Sequence, residues 1–524
     1  MREASCSSNR SPLVQETFCH GRAPRLEWPL CEVCPEPLRS GDRATMTEIL
    51  FHNTLTGRTE PFVPLVQGEV HAYTCGPTVY DFAHVGNFRT FVFQDVLRRY
   101  LKSRGFRVIQ VMNLTDVDDR IIQKAAAAGV SIRDYTEKYI QAYLDDRRAL
   151  SLETPEHIAR ATEHIDDMVR LVQRLTEKGF TYTSDGSIYF RISKFPSYGK
   201  LSKIDVTGMQ AGARVDVDRY DKDNVRDFAV WKAPKPGEHF WETAIGPGRP
   251  GWHIECSAMA LKYLGDTLDI HSGGVDLMFP HHENEIAQSE AATGKPFVRY
   301  WLHAEHLLVD HDKMSKSVGN IATLRELFAH GHKPSSVRFL LASVPYRRQL
   351  NFTSEGLQGA ASSVDRLRNF ALRLRSEKFP AGASPAMESR AVMAQEDFDR
   401  GLADDLNTAQ ALAAIFDLVR DVNTAMDRGE FRQGDAAPVL AVLQSFDTIF
   451  AVLHDDDAEK LRALGLAQAS TAPDDCEIEA LVAERQAARK RRDFAASDRI
   501  RDQLAARGII LEDARDGGVR WKRK

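Results

Sequence analysis

Short apolar runs alternate with helical stretches over the first half of the chain. Residues 70–74 and 108–112 are apolar runs of strand length, and between them apolar side chains recur with a helical period from 88 to 101. The turn Cys75-Gly76-Pro77 follows the first run. The order strand, turn, helix, strand predicts a parallel βαβ unit.

The same order returns later in the chain. Residues 267–271 predict a strand, Gly273-Gly274 a turn and residues 280–290 a helix, and residues 307–309 predict one more strand. Between the two parts lie roughly a hundred residues of mixed character, punctuated by Gly and Pro at 232–237, which indicate an insertion.

Beyond about residue 355 the pattern is almost purely helical, for example at 364–374 and 409–422. Breaks are predicted at 380–385 and at Pro473-Asp474-Asp475. The predicted fold class is therefore α/β. A Rossmann-type parallel-sheet domain split by an insertion precedes an α-helical region and a small C-terminal domain.

Composition is ordinary for a globular protein, with 43% hydrophobic and 27% charged residues and a net charge of −5. No long uncharged apolar run is present, so no membrane segment is predicted. Seven cysteines, an odd number, favour a reducing cytoplasm over a disulfide framework. The tail from Arg485 to Lys524 carries 13 Lys or Arg against 6 Asp or Glu. A basic end on an acidic chain suggests contact with nucleic acid, although most charge runs are solvated helix faces.

The first 45 residues differ from the rest, being rich in Arg, Pro and Ser without a helical or strand period. Acids such as Glu3 and Glu16 argue against an organellar transit peptide. We expect this segment to be a disordered extension or a start called too early, with Met46 as the working start.

Two short strings predict a nucleotide site. His84-Val85-Gly86-Asn87 lies where the first predicted strand passes into its helix, and a helix N-terminus there offers free N–H groups to phosphate. Gly86 permits close approach, while His84 and Asn87 are three apart and face the same side. The second string is Lys313-Met314-Ser315-Lys316-Ser317, whose lysines can stabilise charge that develops on a leaving pyrophosphate.

Four further residues have the donor types of a zinc site: Cys75, Cys256, His281 and Glu285. His281 and Glu285 are i and i+4 and share a helix face, whereas His282 is expected to point elsewhere. From the residues alone the alternative is strong, because scattered Cys and His side chains more often pack in cores or cap helices.

The two strings together resemble the nucleotide motifs of class I aminoacyl-tRNA synthetases, with Asn87 standing where His is usual. T-C-G-P-T-V-Y-D, G-W-H-I-E-C-S-A-M and D-L-M-F-P-H-H-E-N-E are similar to the cysteinyl-tRNA synthetase family, and the likeness extends from Met46 to Lys524. The resemblance implies activation of L-cysteine with ATP and Mg²⁺, transfer to tRNA(Cys), one Zn²⁺ per chain, and a cytoplasmic monomer.

The resemblance also implies roles for individual residues. The zinc ligands would be Cys75, Cys256, His281 and Glu285. The catalytic residues would be His84, Asn87, Lys313 and Lys316. ATP would be bound by His84, Gly86, Asn87, Gly273, Gly274, Asp276 and Lys316, with the two glycines and Asp276 forming a turn near the adenosine. The substrate cysteine would meet Cys75, Thr115 and Trp252, although Trp252 could equally be a core residue. The anticodon would be read by Arg489, Asp498, Asp513 and Trp521.

The expected segments follow from the pattern and the resemblance together. Residues 1–45 are the extension or mis-called start, and residues 46–150 and 246–330 are the two halves of the catalytic domain. Residues 151–245 are the insertion, 331–360 a stem-contact region, 361–470 a helical bundle and 471–524 the anticodon-binding domain. The insertion is not expected to be an editing site, because a metal–sulfur bond can exceed the discrimination of an apolar pocket.

Two other functions stay open on the sequence. The cysteine:glucosaminyl-inositol ligase of mycothiol synthesis shares the catalytic fold, both nucleotide motifs and the zinc site, but it is shorter and lacks an anticodon domain. A non-catalytic zinc- and tRNA-binding protein is the third reading, against which the intact His84, Lys316 and zinc quartet argue.

Overall fold

The computed structural model of the 524-residue chain describes residues 47–204, 227–309, 312–313, 322–466, 475–507, 509–513 and 519–523. The predictions for residues 1–45 and for Lys316 lie outside these residues. The described chain divides into two units, one ending at residue 466 and one beginning at residue 475.

Up to residue 204 the elements are β1 Leu50–Asn53, β2 Arg58–Pro61, β3 Glu69–Thr74, α1 Val85–Ser103, β4 Arg107–Leu114, α2 Asp119–Ala128, α3 Ile132–Ala149, β5 His157–Arg160, α4 Ile165–Glu177, β6 Thr181–Ser184 and β7 Ser187–Phe190. From residue 227 to 352 they are β8 Phe228–Lys232, β9 Arg249–Pro250, α5 Trp252–Leu264, β10 Leu268–Gly274, α6 Glu283–Thr293, β11 Val298–Ala304, β12 Leu307–Val309, β13 Asp312–Lys313, α7 Leu324–Ala329, α8 Pro334–Ser343 and β14 Leu350–Phe352. The remaining elements are α9 Ser354–Ser376, α10 Pro385–Ala403, α11 Thr408–Asp427, α12 Ala436–Phe450, α13 Asp457–Ala463, α14 Asp475–Lys490, α15 Phe494–Ala506, β15 Ile509–Asp513 and β16 Val519–Arg523.

A parallel sheet with the strand order β11-β10-β3-β4-β5 forms the centre of the larger unit. The predicted α/β class is confirmed, and the predicted strands 70–74 and 108–112 correspond to β3 and β4. The predicted strand at 307–309 is present as β12, but it pairs with β13 and β14 in a separate small sheet. The edge strand β11 was not predicted, because Arg299 and His303 interrupt its apolar run.

The strand β5 forms the other edge of the parallel sheet, so the sheet continues past the predicted border at residue 150. The segment that follows contains α4 and the antiparallel sheet β6-β7-β8-β9. Fully buried side chains such as Phe190, Val230 and Trp231 of this sheet share one hydrophobic core with α5 and β11. The insertion is thus packed onto the parallel-sheet domain.

A buried arginine, Arg338, links the helical region to the parallel-sheet domain. Arg338 of α8 donates to Asp95 of α1 at 2.6 Å and to the carbonyl oxygen of Phe450, at the end of α12, at 2.5 Å. Burial lowers the pKa of Arg338 although the Asp95 carboxylate opposes this. The pairing matters because an unpaired charge at this depth is strongly destabilising.

The C-terminal unit has a core of its own. Its buried residues come from α14, α15 and β15 and are Ile478, Val482, Ile500, Leu504 and Ile509. The partly buried side chains of Leu511, Val519 and Trp521 pack against them. The strands β15 and β16 form an antiparallel pair in which Leu511 lies opposite Trp521. None of the helices in the described ranges has the length and apolar character needed to cross a bilayer.

Candidate active site and metal centre

Cys75 lies directly after β3, at the carboxyl edge of the parallel sheet, where open α/β sheets bind their ligands. The next residue, Gly76, passes so close to the carbonyl oxygen of Asn113 that a Cβ atom would overlap it. The Gly76 amide also donates to Asn113 Oδ1 at 2.9 Å. A glycine at this position therefore lets the backbone after Cys75 lie against the end of β4.

The four predicted metal ligands come together at this edge. Ligand atoms of Cys75, Cys256, His281 and Glu285 all lie within 4.8 Å of one another, and all four residues are buried. The two cysteines are free thiols. Zn²⁺ bonds to such donors are ~2.0–2.3 Å long, so the four atoms lie close enough for one ion to contact them together.

His281 and Glu285 were predicted to share one helix, but they lie in different elements. Cys256 belongs to α5 and Glu285 to α6, but His281 lies in a π-helical turn, Met278–His282, that precedes α6. His281 Nε2 is 3.0 Å from Glu285 Oε1, yet that buried oxygen accepts no hydrogen bond. A buried carboxylate oxygen without a donor is what a metal ligand requires, so the residues present fit a cation.

Two of the four groups, Cys256 and Glu285, are ionised before any ion binds. Burial opposes ionisation of Cys256, but the Cys75 thiol and His281 outweigh it and lower the pKa of Cys256. Burial likewise opposes ionisation of Glu285, and His271 and His281 overcome it, which lowers the pKa of that carboxyl to about 2. Burial raises the pKa of Cys75, and the neighbouring Cys256 raises it further. One thiolate and one carboxylate therefore exist at neutral pH before any ion binds.

Further histidines support the ligands from behind. His271 Nε2 lies 2.9 Å from Glu285 Oε2, and His253 Nδ1 lies 2.9 Å from His281 Nδ1. Such outer contacts orient metal ligands and fix their tautomers.

The expectation that His282 points elsewhere is wrong. Its Nε2 lies 3.4 Å from Cys75 Sγ and its Nδ1 lies 2.8 Å from His303 Nε2. Burial and the neighbouring histidines His271 and His303 lower the pKa of His282 well below its usual value, so it is neutral. Cys75, His271, His282 and Glu285 form a second group of close metal-binding atoms that shares two members with the first.

The two residues expected beside the substrate lie next to the cluster. Trp252 begins α5 with 39% of its surface exposed and stacks on His281 with ring centroids 4.1 Å apart, so it is not a core residue. Thr115 is buried after β4, and its Oγ1 accepts from Asn113 Nδ2 at 3.1 Å.

His84 is the N-cap of α1. Its Nδ1 accepts from the Asn87 amide at 3.3 Å, and its own amide donates to Asn87 Oδ1 at 3.1 Å, which forms a capping box. The two residues were predicted to face the same side of the helix, and they are hydrogen-bonded to each other at its start. Gly86 is half-buried within this first turn. The helix N-terminus therefore opens beside the carboxyl edge of β3.

The predicted turn at Gly273-Gly274 is wrong, because both glycines belong to β10 and pair with His303 and Ala304 of β11. Gly273 has no room for a side chain, since a Cβ atom would crowd the His282 ring. The chain turns only at Val275–Leu277, where Asp276 is exposed. The prediction failed because β10 continues through both glycines by pairing with the edge strand β11, which the sequence pattern did not reveal.

The remaining predicted residues lie on other elements. Lys313 ends the short strand β13, opposite Leu308. In the C-terminal unit Arg489 and Asp498 are exposed, Asp513 ends β15, and Trp521 is half-buried against the core of that unit. Asp498 pairs with Arg501 at 3.1 Å.

Sequence reasoning missed His253, His282, His303 and the buried Glu255. Burial raises the pKa of Glu255 well above its usual value, and Cys256 raises it further, so this carboxyl is protonated beside the site. His253 and Glu255 flank Cys256 in a motif that was singled out, so their spacing was an available signal.

Three family matches cover most of the chain. Residues 61–362 match the family described as "tRNA synthetases class I (C) catalytic domain", residues 397–454 the "DALR domain", and residues 475–521 the "Cysteinyl-tRNA ligase anticodon binding domain". A solved structure, Mycobacterium tuberculosis methionyl-tRNA synthetase bound by methionyl-adenylate, has the same fold at a TM-score of 0.58 and 17% identity, covering 76% of this chain and 94% of that one. The fold and the site thus define a class I aminoacyl-tRNA synthetase.

Relatives specify the amino acid. The chain is 58% identical over 474 residues to the cysteine–tRNA ligase of Solibacter usitatus, covering 90% of this chain and 99% of the relative. It is 56% identical over 494 residues to that of Koribacter versatilis, with the same coverages of 90% and 99%. The chain belongs to the cysteine–tRNA ligase family, and its activity is the ATP-dependent joining of cysteine to tRNA(Cys). The matched anticodon-binding domain decides against the mycothiol ligase, which lacks one, and the matched catalytic domain and the ligase relatives decide against the non-catalytic reading.

Proposed function

We propose that Cys75, Cys256, His281 and Glu285 hold one Zn²⁺ and that this centre selects the substrate by its thiol. The observation that carries the proposal is the convergence of two free thiols, an imidazole and a carboxylate, all buried, with their ligand atoms within 4.8 Å of one another. The group that contains Cys256 is preferred over the one that contains His271 and His282, because zinc favours two thiolates over one.

When bound, zinc would supply a soft Lewis acid for the sulfur of free cysteine. The protein residues do the rest of the selection. Trp252 stacks on His281, and Thr115, buried directly after β4, is assigned to the substrate beside it. Serine has the same shape, but its oxygen is a poorer partner for such a centre, and shape alone separates such near-isosteres by only about a hundredfold.

We propose further that ATP binds at the N-terminus of α1 and along the ends of β3 and β10. The residues assigned to it are His84, Gly86, Asn87, Gly273, Gly274, Asp276 and Lys316, with Mg²⁺ accompanying the phosphates. The carboxylate of cysteine attacks the α-phosphate and pyrophosphate leaves. In the first turn of α1 the amides of Val85 and Asn87 already donate to Ala322 and His84, so the Gly86 amide is the one assigned to a phosphate oxygen. Asp276 can accept from ribose hydroxyls, and Lys313 and Lys316 stabilise the leaving pyrophosphate.

The tRNA end of the proposal rests on the C-terminal unit, where Arg489, Asp498, Asp513 and Trp521 are assigned to the anticodon. Exposed Arg489 can neutralise phosphate, and carboxylates can contact splayed bases. Partly buried Trp521 also supports the small core. The chain is proposed to act as a monomer in the cytoplasm, with the domain borders given above except that the first catalytic half extends through β5.

The metal proposal is tested by substitution of the ion in purified protein. We expect about one Zn²⁺ per chain. Protein loaded with Co²⁺ in place of zinc should change its visible absorption when cysteine is added, because a new sulfur donor alters the ligand field. Serine at the same concentration is the matched control and should leave the spectrum unchanged. Identical responses to both amino acids would contradict selection by the thiol.

The anticodon proposal predicts a split between the two half-reactions. Arg489→Ala should lower kcat/KM for tRNA(Cys) by ~10-fold or more, the usual loss for one direct nucleic-acid contact. Cysteine-dependent ATP–pyrophosphate exchange, which needs no tRNA, should stay within twofold of the unaltered protein. Arg420→Ala, on an exposed face of α11 where Arg420 pairs with Asp417 at 2.8 Å, is the matched control. Equal loss in exchange and charging would reject the assignment.

A further inference from the structure

The segment of residues 322–325 lies across the start of α1. The amide of Val85 donates to the carbonyl oxygen of Ala322 at 2.9 Å, and His84 forms an antiparallel bridge with Thr323. The first helical amides of α1 have no partner within their own helix, so Ala322 satisfies one of them. Thr323 is itself fixed, since it caps α7 in a capping box with Glu326.

Arg325 ties this segment to α3. Its Nε donates to Asp146 Oδ1 at 3.1 Å and its Nη2 donates to the carbonyl oxygen of Ala142 at 3.4 Å. Asp145 Oδ2 is 3.9 Å from the same guanidinium, although Asp145 also pairs with Arg148. The side chain of Asp146 is 2% exposed and that of Arg325 is 28% exposed, so the contact is largely shielded from solvent.

The same guanidinium reaches the other side of His84. Its Cζ lies 5.8 Å from the ring centroid of Phe82, and the Phe82 ring packs edge-on against Tyr139 of α3 at 5.2 Å. Lys138 Nζ is also 5.4 Å from the Phe82 ring. Phe82 precedes His84 by two residues, whereas Ala322 and Thr323 bond His84 and Val85 directly. On one side of His84, Arg325 therefore contacts Phe82 directly. On the other side it anchors the segment that contains Ala322 and Thr323, whose backbone bonds to Val85 and His84.

We propose that Arg325 is a positioning residue for adenylate formation, acting by fixing the backbone of His84 at the entry of α1. The inference rests on the proposed role of His84 at the ATP phosphates. Arg325 itself does not touch the nucleotide; it anchors residues 322–323 to α3 so that the capped first turn of α1 keeps one orientation. A reacting group displaced by about 1 Å can lose ~100-fold in rate, so a modest shift is sufficient to be measured.

Removal of Arg325 is compatible with folding. Burial raises the pKa of Asp146 to about 7, against the pull of the Arg325 charge. Without the guanidinium the Asp146 carboxyl takes up a proton, so no unpaired charge is left buried. The test variant Arg325→Met keeps the apolar part of the side chain and should melt within ~4 °C of the unaltered protein.

The experiment measures single-turnover formation of cysteinyl adenylate, with ATP affinity measured separately. Arg325→Met should lower the rate ~10- to 100-fold and change the Kd of ATP less than ~3-fold. Arg325→Lys, which keeps a cation beside Asp146, should recover most of the rate. Arg400→Met, where Arg400 is an exposed arginine of α10 paired with Asp397 at 2.7 Å, is the control and should behave as the unaltered protein.

A double-variant cycle separates positioning from general stabilisation. In a His84→Ala background, Arg325→Met should cost less than ~2-fold more, because residues that act as a unit are not additive. A full additional loss, or no loss in Arg325→Met alone, overturns the inference while leaving the role of His84 intact. An unimpaired His84→Ala protein overturns the proposed role of His84 and the inference with it.

Discussion

Replacing Cys256 with alanine is expected to release the zinc and to remove most of the preference for cysteine over serine. The ratio of kcat/KM for the two amino acids in ATP–pyrophosphate exchange should fall from above ~10⁴ to ~10² or below, the level that shape alone provides. The reason is the donor set: without Cys256 the centre retains one thiolate, and a buried carboxylate and imidazole are left to compete for protons. Metal analysis and exchange with both amino acids are the measurements.

Cys256 also distinguishes the two possible metal groups. Both contain Cys75 and Glu285, but Cys256 and His281 belong to one, and His271 and His282 to the other. His282→Asn should therefore keep the zinc, whereas Cys256→Ala should lose it. Ser257→Ala, a change at the next position of α5 to a buried hydroxyl, is the matched folding control. Zinc retained in Cys256→Ala and lost in His282→Asn would assign the ion to the second group.

Replacing Lys316 with alanine is expected to slow adenylate formation by ~10²–10³-fold, or about 2.7–4 kcal/mol, the usual cost of removing one donor from developing negative charge. The charge on pyrophosphate grows as its bond to the α-phosphate breaks, so a lysine that meets it mainly in the transition state changes the rate and not the ground state. The Kd of ATP should therefore change less than ~3-fold. Single-turnover kinetics and equilibrium binding are measured on the same preparation.

A lysine outside the site provides the control. Lys333 directly precedes α8, and its Nζ lies 3.7 Å from Asp365 Oδ1 in an exposed ion pair. Lys333→Ala should therefore leave both the rate of adenylate formation and the Kd of ATP unchanged. Equal losses of rate and of ATP affinity in Lys316→Ala would contradict a transition-state role and would indicate ordinary ground-state binding.

The local pattern was sufficient for elements whose burial is periodic along the chain. The strand β3, the helix α1 and the strand β4 were predictable because one apolar stripe or run in each faces the core. The edge strand β11 was not, since Arg299 and His303 break its run and only pairing with β10 fixes it. The misassigned glycine turn at Gly273 follows from the same omission.

The site divides in the same way. The four proposed ligands could be chosen from the sequence because their donor types occur in short, specific motifs that resemble one family. His282 and His303 could not be chosen, because they lie on the segment before α6 and on β11, and each is common as an ordinary buried residue. Even His84, chosen as a phosphate ligand, also caps α1 with its side chain.

By itself the sequence determined the fold class, the family and the identities of the proposed ligands, because these depend on residue type and short-range spacing. Only the tertiary structure decided how the site is supported. His282 turns toward Cys75 across 207 positions, and Arg325 reaches Asp146 across 179. Such contacts depend on which strands pair and which helices pack, and that arrangement results from burial summed over the whole core, which no local stretch of residues specifies.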